Sequence, residues 1–393
     1  MNSNYDVVNY DVIVAGGGII GSAVAYYVAK KGQRVLVVER EDQASGTAGA
    51  TDGAVAYHTK KPGFSMDLAV QSISMFSGLS EELGMDIEYH ESRGGMLVIE
   101  DEQQWELMEQ LAKEQSVSGV DVRVIGIDKA RELEPQLSPK LLGALYSPTG
   151  GSVHPMLMTF AFASAAKRLG ADFKNETEVT GIIKKDGAVK GVNTTAGDFF
   201  SEKLVIAAGA WSAALGEMAG FAIPIKPRKG QLLVTEPVGP FIKNGSIQCA
   251  RYFVVKNRPE TVTDEYVLRT GASLAIEQTD DGAILIGSTR ELVGFDGENT
   301  LESFEAITQR AVTFFPALRD VHVIRSFSGF RPYTPDGMPM IGKVDSVDGL
   351  YIAAGHEGDG IALAPITGKL LAEEIVDGKA SFSLEPVSPN RFN

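Results

Sequence analysis

The most constraining feature of the chain lies near its start. Gly16-Gly17-Gly18-Ile19-Ile20-Gly21 contains the pattern G-x-G-x-x-G. It sits between a β-branched run, Tyr10 to Ala15 (YDVIVA), and an Ala-, Val- and Tyr-rich stretch from Ile19 to Lys31. The run reads as a buried strand and the stretch as a helix that Gly32 ends. Gln33 to Glu39 (QRVLVVE) reads as a second buried strand, so residues 10 to 39 form a β-α-β unit. The first glycine permits a tight turn, the second lets backbone approach a pyrophosphate, and the third lets helix pack close to strand. The helix N-terminus offers unpaired N–H groups and a partial positive charge to phosphates. Glu39, eighteen residues after Gly21, ends the second strand, where a carboxylate accepts ribose hydroxyls and disfavours a 2′-phosphate. Three glycines alone make only a loop. Strand, glycines, helix, strand and acid in this order predict a dinucleotide site that includes Gly16, Gly18, Ile19, Ile20, Gly21 and Glu39, without separating NAD from FAD.

Composition narrows the partners. The 393 residues carry 36 Lys+Arg against 51 Asp+Glu, a formal charge of −15. That balance argues against nucleic acid and against an anionic membrane surface as the main partner. With 44% hydrophobic and 22% charged residues the chain has globular values, and its length suggests two or three domains. Its single cysteine, Cys249, permits no internal disulfide, no Cys-based zinc site and no iron–sulfur cluster. The first ten residues are polar and lack a basic leader, and no run of about 18 apolar residues occurs. The expectation is a soluble cytoplasmic protein with no integral membrane segment, peripheral to a membrane only through partners.

Further elements follow from pattern. Helices are expected at Asp67 to Leu83, Trp105 to Gln115, Lys129 to Glu134, Met156 to Leu169, Leu301 to Phe315 and Ile361 to Val376. A strand pair is expected from Tyr89 to Glu100 around Gly94-Gly95, and one strand from Asp172 to Lys185 turning at Asp186-Gly187. Lys203 to Ala207 and Leu350 to Ala354 read as buried strands, and about 221 to 289 as strand-rich. The expected architecture is α/β (α+β overall): a Rossmann-like nucleotide domain from segments 1–85, 145–220 and 325–393, interleaved with an antiparallel β-sheet substrate domain from 86–144 and 221–324.

Two more glycine-rich loops bear on the choice of dinucleotide. Ala44 to Gly53 (ASGTAGATDG) could run along an extended ligand, and composition alone reads it equally well as a surface loop. Gly355-His356-Glu357-Gly358-Asp359-Gly360-Ile361 joins a buried strand to a helix. A nicotinamide domain has no use for this distal loop, whereas a flavin enzyme can aim such a helix at the isoalloxazine ring. With Glu39-Arg40, the Ser45 to Gly53 loop, Val179, Ala207-Ala208-Gly209-Ala210-Trp211, Pro227-Arg228-Lys229-Gly230-Gln231, Gly329-Phe330-Arg331-Pro332 and Asp336-Gly337, the sequence resembles the D-amino-acid oxidase-type flavoproteins over nearly its whole length. Thr51-Asp52-Gly53 and Lys60-Lys61-Pro62-Gly63 are most similar to the flavin β subunits of hydrogen cyanide synthase, opine oxidase and proline or hydroxyproline dehydrogenases.

The resemblance implies non-covalent FAD, since Cys249 matches no attachment motif, and it implies roles for residues. Ile20, Glu39 and Arg40 would border adenosine, with Val179 at adenine through its backbone. Ser45, Thr47, Ala48 and Thr51, with Gly53 ending their loop, would line the path from pyrophosphate to flavin. Ala208, Gly209 and Trp211 would close over the cofactor. Gly358, Asp359, Gly360 and Ile361 would approach the flavin pyrimidine edge, where a helix N-terminus stabilises the negative charge of reduction. Arg331 would grip the carboxylate of a small amino- or imino-acid substrate by two parallel hydrogen bonds. Hydride would then pass from the carbon next to nitrogen to the flavin; no general base stands out, and an amine entering neutral needs none. His58 and His356 read as structural histidines, and Tyr252 and Tyr333 as fillers or pocket lining. Gly358 stands where glycine oxidase-like relatives carry an arginine, which counts against glycine as substrate.

The implied activity is that of an FAD-dependent dehydrogenase passing electrons to partner subunits that carry FMN or iron–sulfur centres. A free-standing oxidase making hydrogen peroxide, a flavin-fold subunit without its own substrate site, and a NAD-dependent dehydrogenase are the competing readings. An intact Arg331 argues against the second of these, and the distal glycine loop against the third.

Overall fold

The strand at Val12–Ala15 is buried on both faces, and its side chains divide the molecule. Val12 and Val14, with Val35 and Val37 of the neighbouring strand, pack among helices; Ile13, Ala15, Leu36 and Val38 pack with Val179, Val189 and Val192 on the opposite face. Each such side chain contributes about 1.5–3 kcal/mol by leaving water. The computed structural model describes residues 9–91, 94–257, 263 and 265–392; the polar stretch read at the N-terminus lies outside them up to residue 8.

A six-stranded sheet runs in the order Met340–Lys343, Leu350–Ala354, Leu204–Ile206, Val12–Ala15, Val35–Val38, Asp172–Lys174. All neighbours are parallel except the Met340–Lys343 edge. Helix Ile19–Lys30 covers one face, flanked by Gly360–Asp377 and Pro155–Arg168. The antiparallel strands Val179–Lys185, Ala188–Thr194 and Gly197–Phe200 cover the other.

The second large sheet has eight strands: Val323–Tyr333, Lys226–Thr235, Ile284–Gly287, Ala275–Gln278, Ser246–Cys249, Gly95–Ile99, Gly143–Ser147 and Arg123–Gly126. It is antiparallel but for one junction, Ser246–Cys249 against Gly95–Ile99, which runs parallel. The expected boundaries at 144/145 and 324/325 cut through strands Gly143–Ser147 and Val323–Tyr333, so by sheet membership the changeovers fall after 147 and before 323.

Four local expectations are corrected. The strands near Gly94 do not pair with each other: His90–Glu91 joins Gly151–Ser152, whereas Gly95–Ile99 enters the large sheet. The expected strand at 172–185 is two, Asp172–Lys174 in the parallel sheet and Val179–Lys185 in the small one, because Glu176 adopts φ 50° between them. The expected helix at 67–83 is Phe64–Ile73, a 3-10 turn and Leu79–Leu83, and the strand-rich region also holds helices Ala250–Asn257 and Glu265–Thr270.

Candidate active site

The glycine turn is built as its sequence requires. Gly16 has φ 118°, and a Cβ there would lie 2.5 Å from the Ala207 carbonyl oxygen. A Cβ on Gly21 would lie 1.9 Å from the Gly16 carbonyl oxygen, so this glycine allows helix Ile19–Lys30 to sit against the turn. A Cβ on Gly18 would meet nothing within 4 Å. Gly18 caps the helix without a side-chain bond, and the first turn carries no acid, so its N–H groups stay available to a ligand. The carboxylate of Glu39 closes the turn: Oε2 accepts from Gly17 N–H at 2.6 Å and Oε1 from Glu41 N–H at 3.0 Å. Each oxygen keeps a lone pair for a hydroxyl.

From this turn a cavity of about 440 Å³ runs between the two sheets to the Gly355–Ile361 loop. Of the residues singled out above, Gly16, Gly18, Ile19, Ile20, Glu39, Arg40, Ser45, Thr47, Ala48, Thr51, Val179, Ala208, Gly209, Trp211, Arg331, Gly358, Gly360 and Ile361 line it. Arg40 lies over Trp211, 5.1 Å from the ring centroid, and Thr47 Oγ1 donates to the Phe330 carbonyl at 2.6 Å.

Three residues expected at the cofactor lie behind this lining. Gly21 acts through helix packing. Gly53 is a close-approach glycine: its Cβ would fall 1.8 Å from the Val153 carbonyl oxygen, and its N–H goes to Glu277 Oε1 at 2.8 Å. Asp359 turns away from the cavity because the buried ammonium of Lys60 holds its carboxylate at 2.6 Å. The helix it precedes, Gly360–Asp377, is therefore left without a side-chain cap and without an acid in its first turn.

The far end of the cavity carries the charge. Arg331 donates from Nη1 to the Thr289 carbonyl at 3.0 Å and from Nη2 to Ser288 Oγ at 2.8 Å. It lies across Gly230, where a Cβ would come 2.2 Å from Nη1. Burial, and then the charge of Arg290, hold its guanidinium below the usual arginine range. Arg290 is 6% exposed and stacks on Tyr252 at 4.2 Å, its Nε 3.8 Å from Glu357. Glu357 also pairs with Arg228 and accepts the Gly358 N–H at 2.6 Å. Such a concentration of guanidinium suits an anionic ligand.

Asp52 lines the same region; burial raises its carboxyl pKa, opposed first by Arg331. The sequence did not single out Asp52, Arg228, Arg290, Lys60 or Glu357 as site residues. The signal available was charge inside apolar strands, as with Arg228 and Lys229 in a run that is otherwise buried.

His58 and His356 are buried, His356 against the cavity lining. His58 Nε2 faces Gln248 Oε1 at 3.0 Å and His356 Nε2 faces Thr367 Oγ1 at 3.0 Å. Burial lowers each pKa to about 4. Tyr333 lies under Arg228, 4.4 Å from ring centroid to guanidinium.

A bare glycine turn at one end, an uncapped helix at the other and a long cavity between them accommodate an extended dinucleotide. The family profile described as FAD dependent oxidoreductase matches residues 11–374. The chain belongs to this family. It is 32% identical to hydrogen cyanide synthase subunit HcnC of Pseudomonas aeruginosa, over 98% of this chain and 96% of that one. It is 31% identical to glycine oxidase of Geobacillus kaustophilus, over 97% of each. Among solved structures, L-proline dehydrogenase from P. horikoshii superposes with TM-score 0.89 at 27% identity, covering 98% of both chains. The Bacillus cereus glycine oxidase superposes with TM-score 0.84 at 30% identity, covering 98% of this chain and 99% of that one. The expectations of an α/β flavoprotein fold, an oxidoreductase and FAD as cofactor are thereby met, and the NAD-dependent reading is set aside. No helix among the described residues is long and apolar enough to cross a membrane.

Proposed function

We propose that this enzyme oxidises a small amino or imino acid at the carbon next to nitrogen, and that it works as a dehydrogenase delivering electrons to a partner subunit. The observation that carries the substrate class is Arg331, a guanidinium anchored on Thr289 and Ser288 at the cavity end, among other arginines. Two of its five N–H groups are used by the protein, which leaves the rest for a carboxylate. The relatives fit this reading: a glycine oxidase and a proline dehydrogenase act on substrates of this class.

In this reading FAD, bound non-covalently, supplies the two-electron acceptor. Gly16, Gly18, Ile19 and Ile20 hold its pyrophosphate on the helix N-terminus, and Gly21 sets that helix close. Glu39 and Arg40 border the adenosine, and Val179 meets adenine. Ser45, Thr47, Ala48 and Thr51, with Ala208, Gly209 and Trp211, enclose the middle. Gly358, Gly360 and Ile361 present the helix N-terminus to the flavin, with Asp359 kept aside by Lys60. Arg331 fixes the substrate carboxylate and so the position of its α-carbon. Cys249 is buried in the large sheet and does not line the cavity, which supports non-covalent attachment. The segments around the parallel sheet serve as the cofactor domain and the eight-stranded sheet as the substrate domain.

A partner is favoured by the cavity rim. Phe295 is exposed and stacks on Trp211 of the cavity lining with centroids 5.2 Å apart, and Leu292 and Val293, close to it in sequence, are exposed as well. A partner seated on this rim, carrying FMN or an iron–sulfur centre, would take the electrons. The similarity to an HcnC subunit agrees with such an assembly. The test is an anaerobic titration of the purified yellow protein with L- and D-amino acids, prolines and N-alkyl glycines. Bleaching by one class establishes the substrate, and slow return of colour in air separates dehydrogenase from the peroxide-forming oxidase. A colourless protein that stays so with added FAD overturns the proposal.

A further inference from the structure

The substrate's ammonium group poses a requirement that Arg331 does not meet. An amino acid at neutral pH carries N–H protons and a positive charge, and the electron pair of its α-C–H bond leaves readily only once nitrogen is neutral. Where the amino acid binds in its ammonium form, a group at the cavity end has to take that proton. The buried histidines are tied to Gln248 and Thr367. Of the carboxylates lining the cavity, Glu39, Glu41 and Glu178 stand at the nucleotide end, and Glu357 is held by Arg228 and the Gly358 N–H. Asp359 lies outside the lining, on Lys60.

Asp52 remains, and the backbone carries it to the right place. Thr47 Oγ1 ties the loop to Phe330, and the carbonyl of Ala50 lies against Gly329, where a Cβ would come within 2.7 Å. Gly329 and Arg331 share one face of their strand, so the segment from Ala50 to Asp52 runs along the face that bears Arg331. Beyond it, Gly53 N–H is held by Glu277 and Ala54 pairs with Ser152, which fixes the segment from both sides. Among the described residues no cation lies within 4 Å of the Asp52 carboxylate in an ion pair.

We propose that Asp52 is a catalytic residue: it receives a proton from the substrate ammonium while Arg331 holds the carboxylate. One N–H bond breaks and one O–H bond forms on Asp52. The neutral amine then gives its α-hydrogen with the bonding electron pair to the two-electron acceptor, and the iminium product leaves. Asp52 returns its proton to water before the next turnover. The charged groups that face it are Arg331 from strand Val323–Tyr333, Arg290 from the segment after strand Ile284–Gly287, Lys60 from the loop after strand Ala54–Val55, and the Ala54 N–H; Glu277 sits behind Gly53. Burial raises its carboxyl pKa, which makes the carboxylate a stronger base than an exposed aspartate, and Arg331, Arg290 and Lys60 oppose that rise.

This inference rests on the amino-acid reading above, so its test separates the two. The holoenzyme is titrated with 2-aminoisobutyrate, which has carboxylate and ammonium but no α-hydrogen, and with pivalate, its counterpart with methyl in place of ammonium. Binding is read from the flavin spectrum and by calorimetry in buffers of different ionisation heat. Wild type should favour 2-aminoisobutyrate by about tenfold or more and transfer a proton on binding. Asp52→Asn should bind both alike, and its anaerobic reduction by whichever substrate the titration identifies should slow about a hundredfold. Its pH profile should shift toward the free amine, with exogenous formate partly restoring Asp52→Ala. Asp52→Glu should recover part of the rate, and an unchanged flavin spectrum and melting point guard against a folding defect. If neither probe binds wild type, the amino-acid reading itself fails. If wild type shows no preference, or Asp52→Asn keeps the preference and the pH profile, Asp52 is not the acceptor.

Discussion

The two ends of the cavity are made in opposite ways. At the nucleotide end the contacts come from backbone: Gly16 at φ 118°, a bare Gly18 and an uncapped helix, with one carboxylate, Glu39, bracing the turn. At the other end they come from long charged side chains that meet from separate segments, Arg228 and Arg331 from paired strands and Arg290 from beyond strand Ile284–Gly287, around Glu357. Backbone N–H groups read a phosphate whatever is attached to it, which suits an invariant cofactor. Side chains on strands can be exchanged without moving the sheet, which suits a substrate that differs between relatives. The comparison predicts that substitutions at the first end act on folding and cofactor retention, and at the second on substrate.

The largest effect is expected at Arg331. Arg331→Met should lower kcat/KM by a hundredfold or more, about 3 kcal/mol of transition-state binding, with the flavin spectrum intact. Arg331→Lys keeps the charge and loses the fork, so it should recover only part. Loss of flavin from either variant would break the division of labour. Next come two glycines of the same turn that differ in what surrounds them. Gly21→Ala puts a Cβ 1.9 Å from the Gly16 oxygen and should destabilise even the apoprotein, by about 3 kcal/mol in chemical denaturation. Gly18→Ala meets no protein atom, so apoprotein stability should hold while FAD affinity drops. Equal melting points for the two apoproteins would refute that contrast.

The same contrast explains what the sequence discloses. Residues 16–21 are contiguous, and their conformational demands admit few residue types, so strand, turn and helix are legible directly. The far end is assembled by register: Arg228 stands opposite Arg331, and Gly230 opposite Gly329, only because Lys226–Thr235 pairs with Val323–Tyr333. Arg331 was legible through the family resemblance; nothing local marks Arg290, which reads as a solvated charge until its burial is seen. Asp359 misleads for a related reason. Its place before a helix suggests a contact with the ligand, but Lys60, distant in sequence, turns it aside. The break of the expected strand at Glu176 depends likewise on Thr177 N–H reaching the Glu39 carbonyl at 2.8 Å, a contact between separate segments.

Lys60 and Asp359 sharpen the comparison, because this ion pair belongs to the charged end yet serves the backbone of the other kind. With Lys60→Met, the Asp359 carboxylate should swing back to cap helix Gly360–Asp377 and place negative charge beside the flavin. The flavin should become harder to reduce, read as a lowered midpoint potential. In an Asp359→Ala background the Lys60→Met change should have little further effect, and the coupling in a stability cycle should be about 1–2 kcal/mol. Additive effects would separate the pair from the helix.

The smallest effect is set by the buried histidines, which do no proton transfer in this scheme. Their folded pKa of about 4 lies below the 6.5 of an unfolded histidine. Between these values the unfolded chain binds more protons, so stability is complete above pH 6.5 and is lost as pH falls toward 4. Each histidine should contribute about 0.7 kcal/mol of loss between pH 7 and pH 6. His356→Asn should flatten the pH dependence of the melting point over that interval by about half, since His58 keeps its share. The acid limb of turnover should stay where it is. A limb that moves with His356 would make the histidine part of the reaction and would place catalytic charge on the helix side of the cavity, against the division between backbone and side chain drawn from its two ends.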